Sequence, residues 1–402
     1  MALWHLSDGS KTQNTPTTAP NAGARVIIAF YHLIIILVTK LKKSLFLLIW
    51  RDGFEVKHPL AMNKINRRFS IAPMMAWSDR HCRMFWRQLT QHAVMYTEMV
   101  TTGAILHAGA DRFLTYNTGE HPLALQLGGS NPDDLASCTK IAADFGYDEV
   151  NLNCGCPSNR VQNGMFGACL MAHPQRVADC ISAMQDASSL PITVKHRIGI
   201  DEMESYDEML EFVKPIADTG CSTFIVHARK AWLQGLSPKQ NRDIPPLHYD
   251  MVHQLKQDFP SLNVIINGGI TSIEHCVSHL QLVDGVMLGR AAYQNPYLLA
   301  EVDSLIYNAP TVIKTRDQVL LDYIPYIEEQ LQNNVALNHM TRHILGLFQG
   351  IPGAKLFRRH ISEQAHRSDA GINVVYQARE LMLEAQHRAD VNHRLNDSSS
   401  FI

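Results

Sequence analysis

The chain has 402 residues, of which 46% are hydrophobic and 18% charged, and its formal net charge is −2. This composition is typical of a globular protein with ample core, built as one large domain and a smaller one. Because the net charge is close to zero, overall positive charge cannot attract nucleic acid to this chain. A surface that binds nucleic acid must therefore be a local cluster of basic residues. Its eight scattered cysteines favour reduced thiols in a cytoplasm, because a chain of this length does not need disulfide bonds.

Residues 1–61 are predicted to be an N-terminal extension outside the functional domains. An apolar run at 26–38 is followed by Lys40, Lys42 and Lys43. The run is shorter than the roughly 20 apolar residues of a membrane-spanning helix, and a signal peptide carries its positive charges before the apolar core. We expect Met62 to be the functional start, so a chain expressed from Met62 should fold and act. A peripheral amphipathic anchor is the alternative, and membrane attachment is expected only if this segment is genuine.

From residue 62 to about 310, short apolar runs alternate with longer helix-like segments such as 132–145, 174–186, 205–219 and 272–280. Eight such alternating units favour a (β/α)₈ TIM barrel over a doubly wound sheet. No GxGxxG motif follows any of the runs, which argues against a dinucleotide-binding fold. The predicted strands are 69–72, 94–97, 123–126, 149–152, 192–195, 223–226, 263–266 and 285–288.

Polar residues and glycines follow nearly every predicted strand, at the edge where a barrel keeps its chemistry. The fourth strand runs into Cys154, Gly155, Cys156 and Pro157, where glycine freedom and a fixed proline should hold Cys156 in a defined direction. No second Cys/His cluster has zinc-site spacing, so we expect no metal. The other strand-end residues are Pro73, Met74, Met75, Gln126, Asn153, Lys195, Arg197, His227, Arg229, Lys230, Asn267, Gly268, Gly269, Gly289 and Arg290.

The glycines after the seventh and eighth strands predict a phosphate site, because barrels often bind phosphate there through exposed backbone N–H groups, and Arg290 can add a charged bond. Lys195 suits the electron-rich edge of a flavin ring, and the Gln126 amide can bond to a ring edge. A barrel that holds flavin mononucleotide (FMN) accounts for these features together. The alternative is a barrel that binds a phosphorylated sugar, with Lys195 as a Schiff-base or substrate-binding lysine.

Residues 311–393 are predicted to form a helical domain, with helices at 315–334, 337–348, 353–365 and 374–388 and a flexible tail at 394–402. Lys355, Arg358 and Arg359 lie at spacings that place several cations on one helical face. A solvated charged face and a surface that contacts a phosphate backbone both fit this pattern.

The residues resemble the tRNA-dihydrouridine synthases, most closely their A subfamily, from about Arg68 to Arg388. The combination of Gly155-Cys156-Pro157-Ser158 with His227-Ala228-Arg229 is specific to that resemblance. The other matching stretches are 71–74, 79–81, 96–99, 126–129, 151–160, 194–199, 227–232, 267–269 and 289–291.

The resemblance implies an FMN-bearing barrel, a helical tRNA-binding domain and NADPH-driven reduction of the uracil C5–C6 bond in the D-loop of tRNA, at positions 20 and 20a. Hydride would pass from flavin N5 to C6, and Cys156 would donate the proton to C5, whereas Cys154 would be a packed thiol. The implied FMN site is Pro73, Met74, Met75, Gln126, Lys195, His227, Asn267, Gly268, Gly269, Gly289 and Arg290. The expected tRNA contacts are Asn153, Arg160, Arg197, Lys230, Asn241, Arg242, Lys355, Arg358 and Arg359.

Two other functions stay open at this stage. A flavin barrel that acts on a free dihydropyrimidine-type molecule would leave the basic helical region unexplained. A tRNA-binding protein with an idle barrel would leave Cys156, Lys195 and the paired glycines unexplained. An absorbance spectrum and an assay for dihydrouridine in tRNA separate these alternatives.

Overall fold

The computed structural model describes residues 65–158, 162 and 164–399, with side chains as far as residue 391. The predicted extension at 1–61 and the expected tRNA contact Arg160 lie outside the described residues. Residues 65–399 belong to one compact unit that contains both the strands and the C-terminal helices.

Nine strands form one sheet in which every pairing is parallel. The sheet closes on itself because the first strand pairs with the last and the second pairs with the fourth. The predicted TIM barrel is therefore confirmed, with eight strands in the closed ring. The strands are β1 Phe69–Ile71, β2 Val94–Tyr96, β3 Val100–Thr101, β4 Leu123–Gly128, β5 Glu149–Cys154, β6 Ile192–Arg197, β7 Thr223–His227, β8 Asn263–Asn267 and β9 Gly285–Leu288.

The short strand β3 was not predicted, and it continues the edge that β2 begins. Strand β2 pairs with the first half of β4, and β3 pairs with the second half, where Val100 lies opposite Leu127. Between them the Thr97 hydroxyl accepts a hydrogen bond from the backbone N–H of Gln126 at 3.1 Å. The Thr97 side chain thus takes the place of a backbone carbonyl opposite β4, and the pairing with β4 is interrupted between β2 and β3.

Several of the helices that surround the barrel begin at polar caps that are visible in the sequence. Asn131 caps the helix over the predicted span 132–145, and Ser205 with Glu208 forms a reciprocal capping box at the next helix but one. The helices are α1 Arg80–Arg87, α2 Thr102–Ala108, α3 Ala110–Leu114, α4 Pro132–Asp144, α5 Pro174–Ala187, α6 Tyr206–Ala217, α7 Tyr249–Asp258, α8 Ile273–His279, α9 Arg290–Gln294 and α10 Val302–Leu305. Short 3₁₀ turns lie at Thr118–Glu120, Gly167–Ala172, Gln240–Arg242 and Pro296–Glu301.

The C-terminal region is helical, as predicted, but one predicted helix is too long. The helix predicted over 337–348 ends at Thr341. Beyond it the chain packs tightly against the barrel, since a Cβ at Gly346 would lie 2.5 Å from the Gln294 carbonyl oxygen. The four helices are α11 Arg316–Gln332, α12 Leu337–Thr341, α13 Ala354–Gln364 and α14 Asn373–Ser399. The tail predicted at 394–402 overlaps the end of α14, and residues 400–402 lie outside the described residues.

The C-terminal helices are fixed to the barrel through helix α1. Asp79 caps α1 through the N–H groups of His81 and Cys82, and its carboxylate also pairs with Arg342 and His343. These hydrogen bonds and charges hold the pKa of Asp79 well below its usual range, against the effect of burial. A tyrosine of α11 adds a second link, since the Tyr326 hydroxyl lies 2.7 Å from Nδ1 of His81.

Within the described part of the chain, no helix is long and apolar enough to cross a membrane. The same residues contain no group of three or more His, Cys, Asp or Glu side chains that could hold a metal ion.

Candidate active site at the carboxyl ends of the barrel strands

A buried carboxylate begins a chain of polar side chains inside the barrel. Glu149, at the start of β5, accepts hydrogen bonds from Arg67 Nε at 2.7 Å, from the Tyr96 hydroxyl at 2.7 Å and from the Thr193 hydroxyl at 2.6 Å. All four side chains are buried. A carboxylate paired with a guanidinium can only accept, so Thr193 must donate its one proton to Glu149.

The proton that Thr193 donates fixes the donor and acceptor roles of the other side chains in this hydrogen-bonded series. The Thr193 oxygen is left to accept from Asn151 Nδ2 at 2.8 Å, and Asn151 Oδ1 then accepts from Gln126 Nε2 at 2.8 Å. Gln126 Oε1 in turn accepts from Asn153 Nδ2 at 2.9 Å. We call Glu149, Thr193, Asn151, Gln126 and Asn153 the polar chain. Because each amide has one orientation that fits its neighbours, the polar chain is a directional link from the barrel floor to its mouth.

The polar chain ends at Cys156. Asn153 Oδ1 accepts hydrogen bonds from the backbone N–H groups of Gly155 at 3.1 Å and Cys156 at 3.0 Å. The Cys156 carbonyl accepts from the N–H of Ala168 at 2.9 Å, and its side chain is half-buried. Cys154, by contrast, is fully buried, and burial raises the pKa of its thiol well above the ordinary value.

The expectation that Gly155 uses a backbone conformation closed to other residues is wrong. Gly155 does not have a positive φ, and a Cβ at this position would lie 3.5 Å from the nearest backbone atoms of His196 and Lys195, an ordinary contact. The direction of Cys156 is therefore set by the Asn153 amide and not by glycine freedom.

Lys195 lies at the mouth on β6, beside the end of β8. Its Nζ donates to Asn267 Oδ1 at 3.1 Å, and Asn267 Nδ2 donates to the Met287 carbonyl at 2.7 Å. Burial and then the nearby Arg197 guanidinium lower the pKa of Lys195 to about 7. Among the described residues, Asn267 is the one hydrogen-bond partner of Nζ, so two ammonium protons are available to a ligand. An electron-rich or anionic group beside Nζ would stabilise the charged form of Lys195.

Arg197, an expected tRNA contact, is almost fully buried and joins two loops instead. Its guanidinium donates to the carbonyls of Gly155 at 2.8 Å, Lys230 at 2.9 Å and Asn241 at 3.1 Å. Burial lowers its pKa to about 10. As folded, Arg197 fixes the cysteine loop against the loop that follows β7.

Lys230 and Asn241, two more expected tRNA contacts, are also buried. Lys230 Nζ pairs with Glu204, donates to the Asp201 carbonyl at 2.9 Å and lies 4.0 Å over the Trp232 ring. The Asn241 amide bonds to the backbone N–H and C=O of Trp232, both at 2.8 Å. The polar atoms of Lys230 and Asn241 form their hydrogen bonds within the loop. They therefore have few donors or acceptors free to bind a ligand. Asn153 is committed in the same way, to Gln126 and the cysteine loop.

The paired glycines after β8 leave a bare stretch of backbone at the mouth. Gly268 and Gly269 have φ of +115° and +70°, a region that other residues rarely adopt. A Cβ would lie 2.7 Å from the His227 ring at Gly268 and 2.5 Å from Leu247 at Gly269. The glycines therefore give a close approach that no side chain permits. Burial, followed by Arg197 and Lys195, lowers the pKa of His227 well below its usual value, so its ring is neutral.

Three arginines from two loops lie at the same end of the barrel as these glycines, with Arg229 and Arg242 in the loop after β7 and Arg290 at the start of α9. Arg290 pairs with Asp243 at 2.8 Å, and Arg242 is exposed. Arg229 Nε is buried, and within the described part of the chain it has no hydrogen-bond partner. An unpartnered guanidinium N–H next to a bare glycine loop suits the oxygens of a phosphate.

The turn after β1 completes the mouth. Met74 N–H donates to the Ser78 hydroxyl at 2.9 Å, and Met75 is 64% exposed, while Pro73 is half-buried. A Cβ at Gly289 would lie 3.7 Å from the Met74 sulfur, so the first and last barrel loops lie close together. The fold thus brings together at one end of the barrel the predicted site residues of all its loops, as far as they are described.

Sequence reasoning missed the deeper half of the polar chain, namely Glu149, Asn151 and Thr193. A signal was present, because polar residues alternate along β5 at Glu149, Asn151 and Asn153. A period of two places such residues on one face of a strand, here the barrel interior.

A closed parallel barrel with a thiol, a lysine and left-handed glycines at the carboxyl ends of its strands is a β/α-barrel enzyme. The family model described as "Dihydrouridine synthase (Dus)" matches residues 70–383. The chain belongs to this family, whose members are flavin-dependent.

Several curated relatives carry the name tRNA-dihydrouridine(20/20a) synthase. The protein of Shewanella oneidensis is 59% identical over 325 residues, which is 80% of this chain and 97% of the relative. That of Vibrio vulnificus is 59% identical over 312 residues, covering 77% of this chain and 95% of the relative. That of Pseudomonas putida is 56% identical over 317 residues, covering 79% and 94%. The resemblance found in the sequence is therefore confirmed at the level of the family.

Proposed function

We propose that this chain is a tRNA-dihydrouridine synthase that uses FMN and NADPH to reduce uridines at positions 20 and 20a in the D-loop of tRNA. The names of relatives at 56–59% identity support the reaction and the positions. The observation that carries the proposal is the crowding of Lys195, His227 and Arg229 with Cys156 at the mouth of one barrel. A cytoplasmic location fits an enzyme of tRNA with unpaired cysteines.

The residues at the mouth fit a phosphorylated flavin. The backbone of Gly268 and Gly269 and the free Nε–H of Arg229 would hold the phosphate, with Arg290 released from Asp243. Gly289 and the turn from Pro73 to Met75 would line the same cofactor. Lys195, whose charged form is disfavoured by burial and by Arg197, would bond to the ring edge. Gln126 would orient the ring through its second amide proton. Asn267 would do so indirectly, through its hydrogen bond to Lys195.

When held by these residues and reduced by NADPH, FMN would supply a hydride to C6 of the uracil ring. Cys156 Sγ would then donate its proton to C5, and the resulting thiolate would regain a proton from solvent. A thiol can both hold a proton and give it up readily, which suits an acid catalyst. The ammonium of Lys195 would stabilise the negative charge that develops on the uracil carbonyl.

The target uridine must leave the base stack to reach this mouth, at a cost of about a few kcal/mol that contacts in the pocket recover. Cations that reach solvent at least in part would bind the tRNA backbone around it, namely Arg242 near the mouth and Lys355, Arg358 and Arg359 on α13. Arg197, Lys230, Asn241 and Asn153 would support the loops that meet the tRNA, in place of direct contacts.

The test is an assay of the purified full chain with NADPH and an unmodified tRNA transcript. We expect a flavin absorbance spectrum and a mass gain of two hydrogens at each of the two D-loop uridines. A flavoprotein that oxidises NADPH yet leaves the transcript unchanged would favour a barrel acting on a free small molecule.

A further inference from the structure

A cleft of about 1010 Å³ lies between the rim of the barrel and the C-terminal helices, beside the proposed flavin site. One wall comes from the turn after β1 and from α9, which contribute Trp77 and Tyr293. The opposite wall comes from the turn at 349–353 and the start of α13, with Lys355 and Arg358. The mechanism proposed above uses none of the aromatic side chains in this cleft.

Trp77 and Tyr293 form a stacked aromatic platform in the cleft. Their ring centroids are 4.3 Å apart and their planes differ by 8°. Both rings are only partly buried, so aromatic surface is open to the cleft. An aromatic pair that is stacked but not covered offers a flat surface to a further ring.

The platform is held rigidly in place. The backbone N–H of Trp77 donates to the Met74 carbonyl at 3.0 Å. The Tyr293 ring meets the buried His343 ring edge-on at 5.7 Å, and His343 is bonded to Asp79. A stacking surface that is already ordered loses little conformational entropy when a ligand binds.

The charge of the cleft selects an anionic occupant. Arg342, Lys355 and Arg358 line it, and of these Arg342 already pairs with Asp79. Among the described residues that line the cleft, none is acidic. Flat aromatic surface beside unpaired cations is the combination that binds single-stranded nucleic acid, by stacking the base and neutralising its phosphate.

We propose that this cleft is a second nucleotide site, which holds an unpaired base of the substrate tRNA other than the uridine being reduced. The base stacks on the platform, and its phosphate lies against Lys355 and Arg358. Trp77 follows the turn at Met74 by three residues, and Tyr293 follows Arg290 by three. A base held here therefore fixes the strand next to the proposed flavin site. The inference rests on the proposed function, because it takes tRNA as the substrate.

The test compares Trp77→Leu with Trp77→Phe in the full-length holoenzyme. Loss of one base stack should raise KM for an unmodified tRNA transcript by about tenfold or more, with a much smaller change in kcat, and phenylalanine should restore most of the affinity. Tyr376→Leu, which removes a 39% exposed tyrosine on α14, is the matched control and should leave KM unchanged.

Charge reversal at exposed lysines gives a second test of the cleft that leaves the folded core unchanged. Lys355→Glu should raise KM for the transcript and make binding less sensitive to salt, whereas Lys140→Glu, on the exposed side of α4, should do neither. The inference is overturned if Trp77→Leu and Lys355→Glu both keep the wild-type KM. If Trp77→Leu does not fold, Tyr293→Leu takes its place in the same comparison. If the wild-type chain forms no dihydrouridine at all, it is the proposed function that fails.

Discussion

The side-chain oxygen of Asn153 accepts a hydrogen bond from the backbone N–H of Cys156 at 3.0 Å, three residues further along the chain. The orientation of the Asn153 amide is set in turn by Gln126 and the rest of the polar chain. The position of the proposed acid catalyst therefore depends on side chains buried at the far end of the barrel.

Thr193 tests this dependence without touching the site. Thr193→Val removes the hydroxyl at constant shape, so the Asn151 amide loses its acceptor and the polar chain loses its direction. We expect a loss of about 1–3 kcal/mol in the free energy of unfolding and a roughly tenfold slower formation of dihydrouridine. Urea unfolding and an initial-rate assay measure the two effects.

Thr193→Ser is the matched control for that experiment. Serine keeps the hydroxyl that bonds to Glu149 and Asn151, so it should retain most of the rate while losing only a buried methyl group. Equal rates for the valine and serine variants would show that the polar chain does not orient Cys156.

Lys195 makes flavin binding depend on pH. Its pKa of about 7 lies below the ordinary value of 10.5, so the side chain loses its charge as the pH rises through 7. An anionic group beside Nζ favours the charged form, and its binding therefore takes up a proton above pH 7. The affinity for FMN should fall between pH 6.5 and 8.5, by at most about tenfold per pH unit for one linked proton.

Fluorescence titrations of FMN into the apoprotein at several pH values measure this dependence. Lys195→Arg keeps its charge over the whole range, so its affinity should not change with pH in this way. If the affinity of the wild-type chain for FMN is constant from pH 6.5 to 8.5, Lys195 does not contact the cofactor.

The basic face of α13 is expected to bind the tRNA backbone. Ala354, Phe357 and Ile361 bury the opposite face of this helix, whereas Arg358 and Arg359 reach solvent at least in part. Replacing both arginines by alanine should raise KM for tRNA and reduce the slope of log affinity against log salt by about one for each phosphate that the helix no longer neutralises. If the double variant binds tRNA as the wild type does at every salt concentration, Arg358 and Arg359 are only part of a solvated charged surface.

The barrel could be predicted because each strand is a short apolar run that ends in turn or polar residues, a pattern local to the sequence. The alternation along β5 indicated which residues face the barrel interior, but the hydrogen bonds of the polar chain could not be predicted, because they depend on register between strands. Gln126 lies opposite Asn151, and Asn151 lies opposite Thr193, and no local pattern sets those pairs. The contacts expected at Arg197, Lys230 and Asn241 came with the family resemblance, which does not tell a supporting residue from a direct contact. Sequence does not reveal that loop carbonyls and Glu204 satisfy them.

The most direct test of the account is a single-turnover experiment on Cys156→Ala. Enzyme reduced by NADPH without oxygen is mixed with an unmodified tRNA transcript, and dihydrouridine is counted against time. The variant should keep its yellow flavin and its reduction by NADPH, yet form dihydrouridine at least about 100-fold more slowly than the wild type, while Cys154→Ala stays close to it. Undiminished dihydrouridine formation by Cys156→Ala would contradict the assignment of Cys156 as the proton donor.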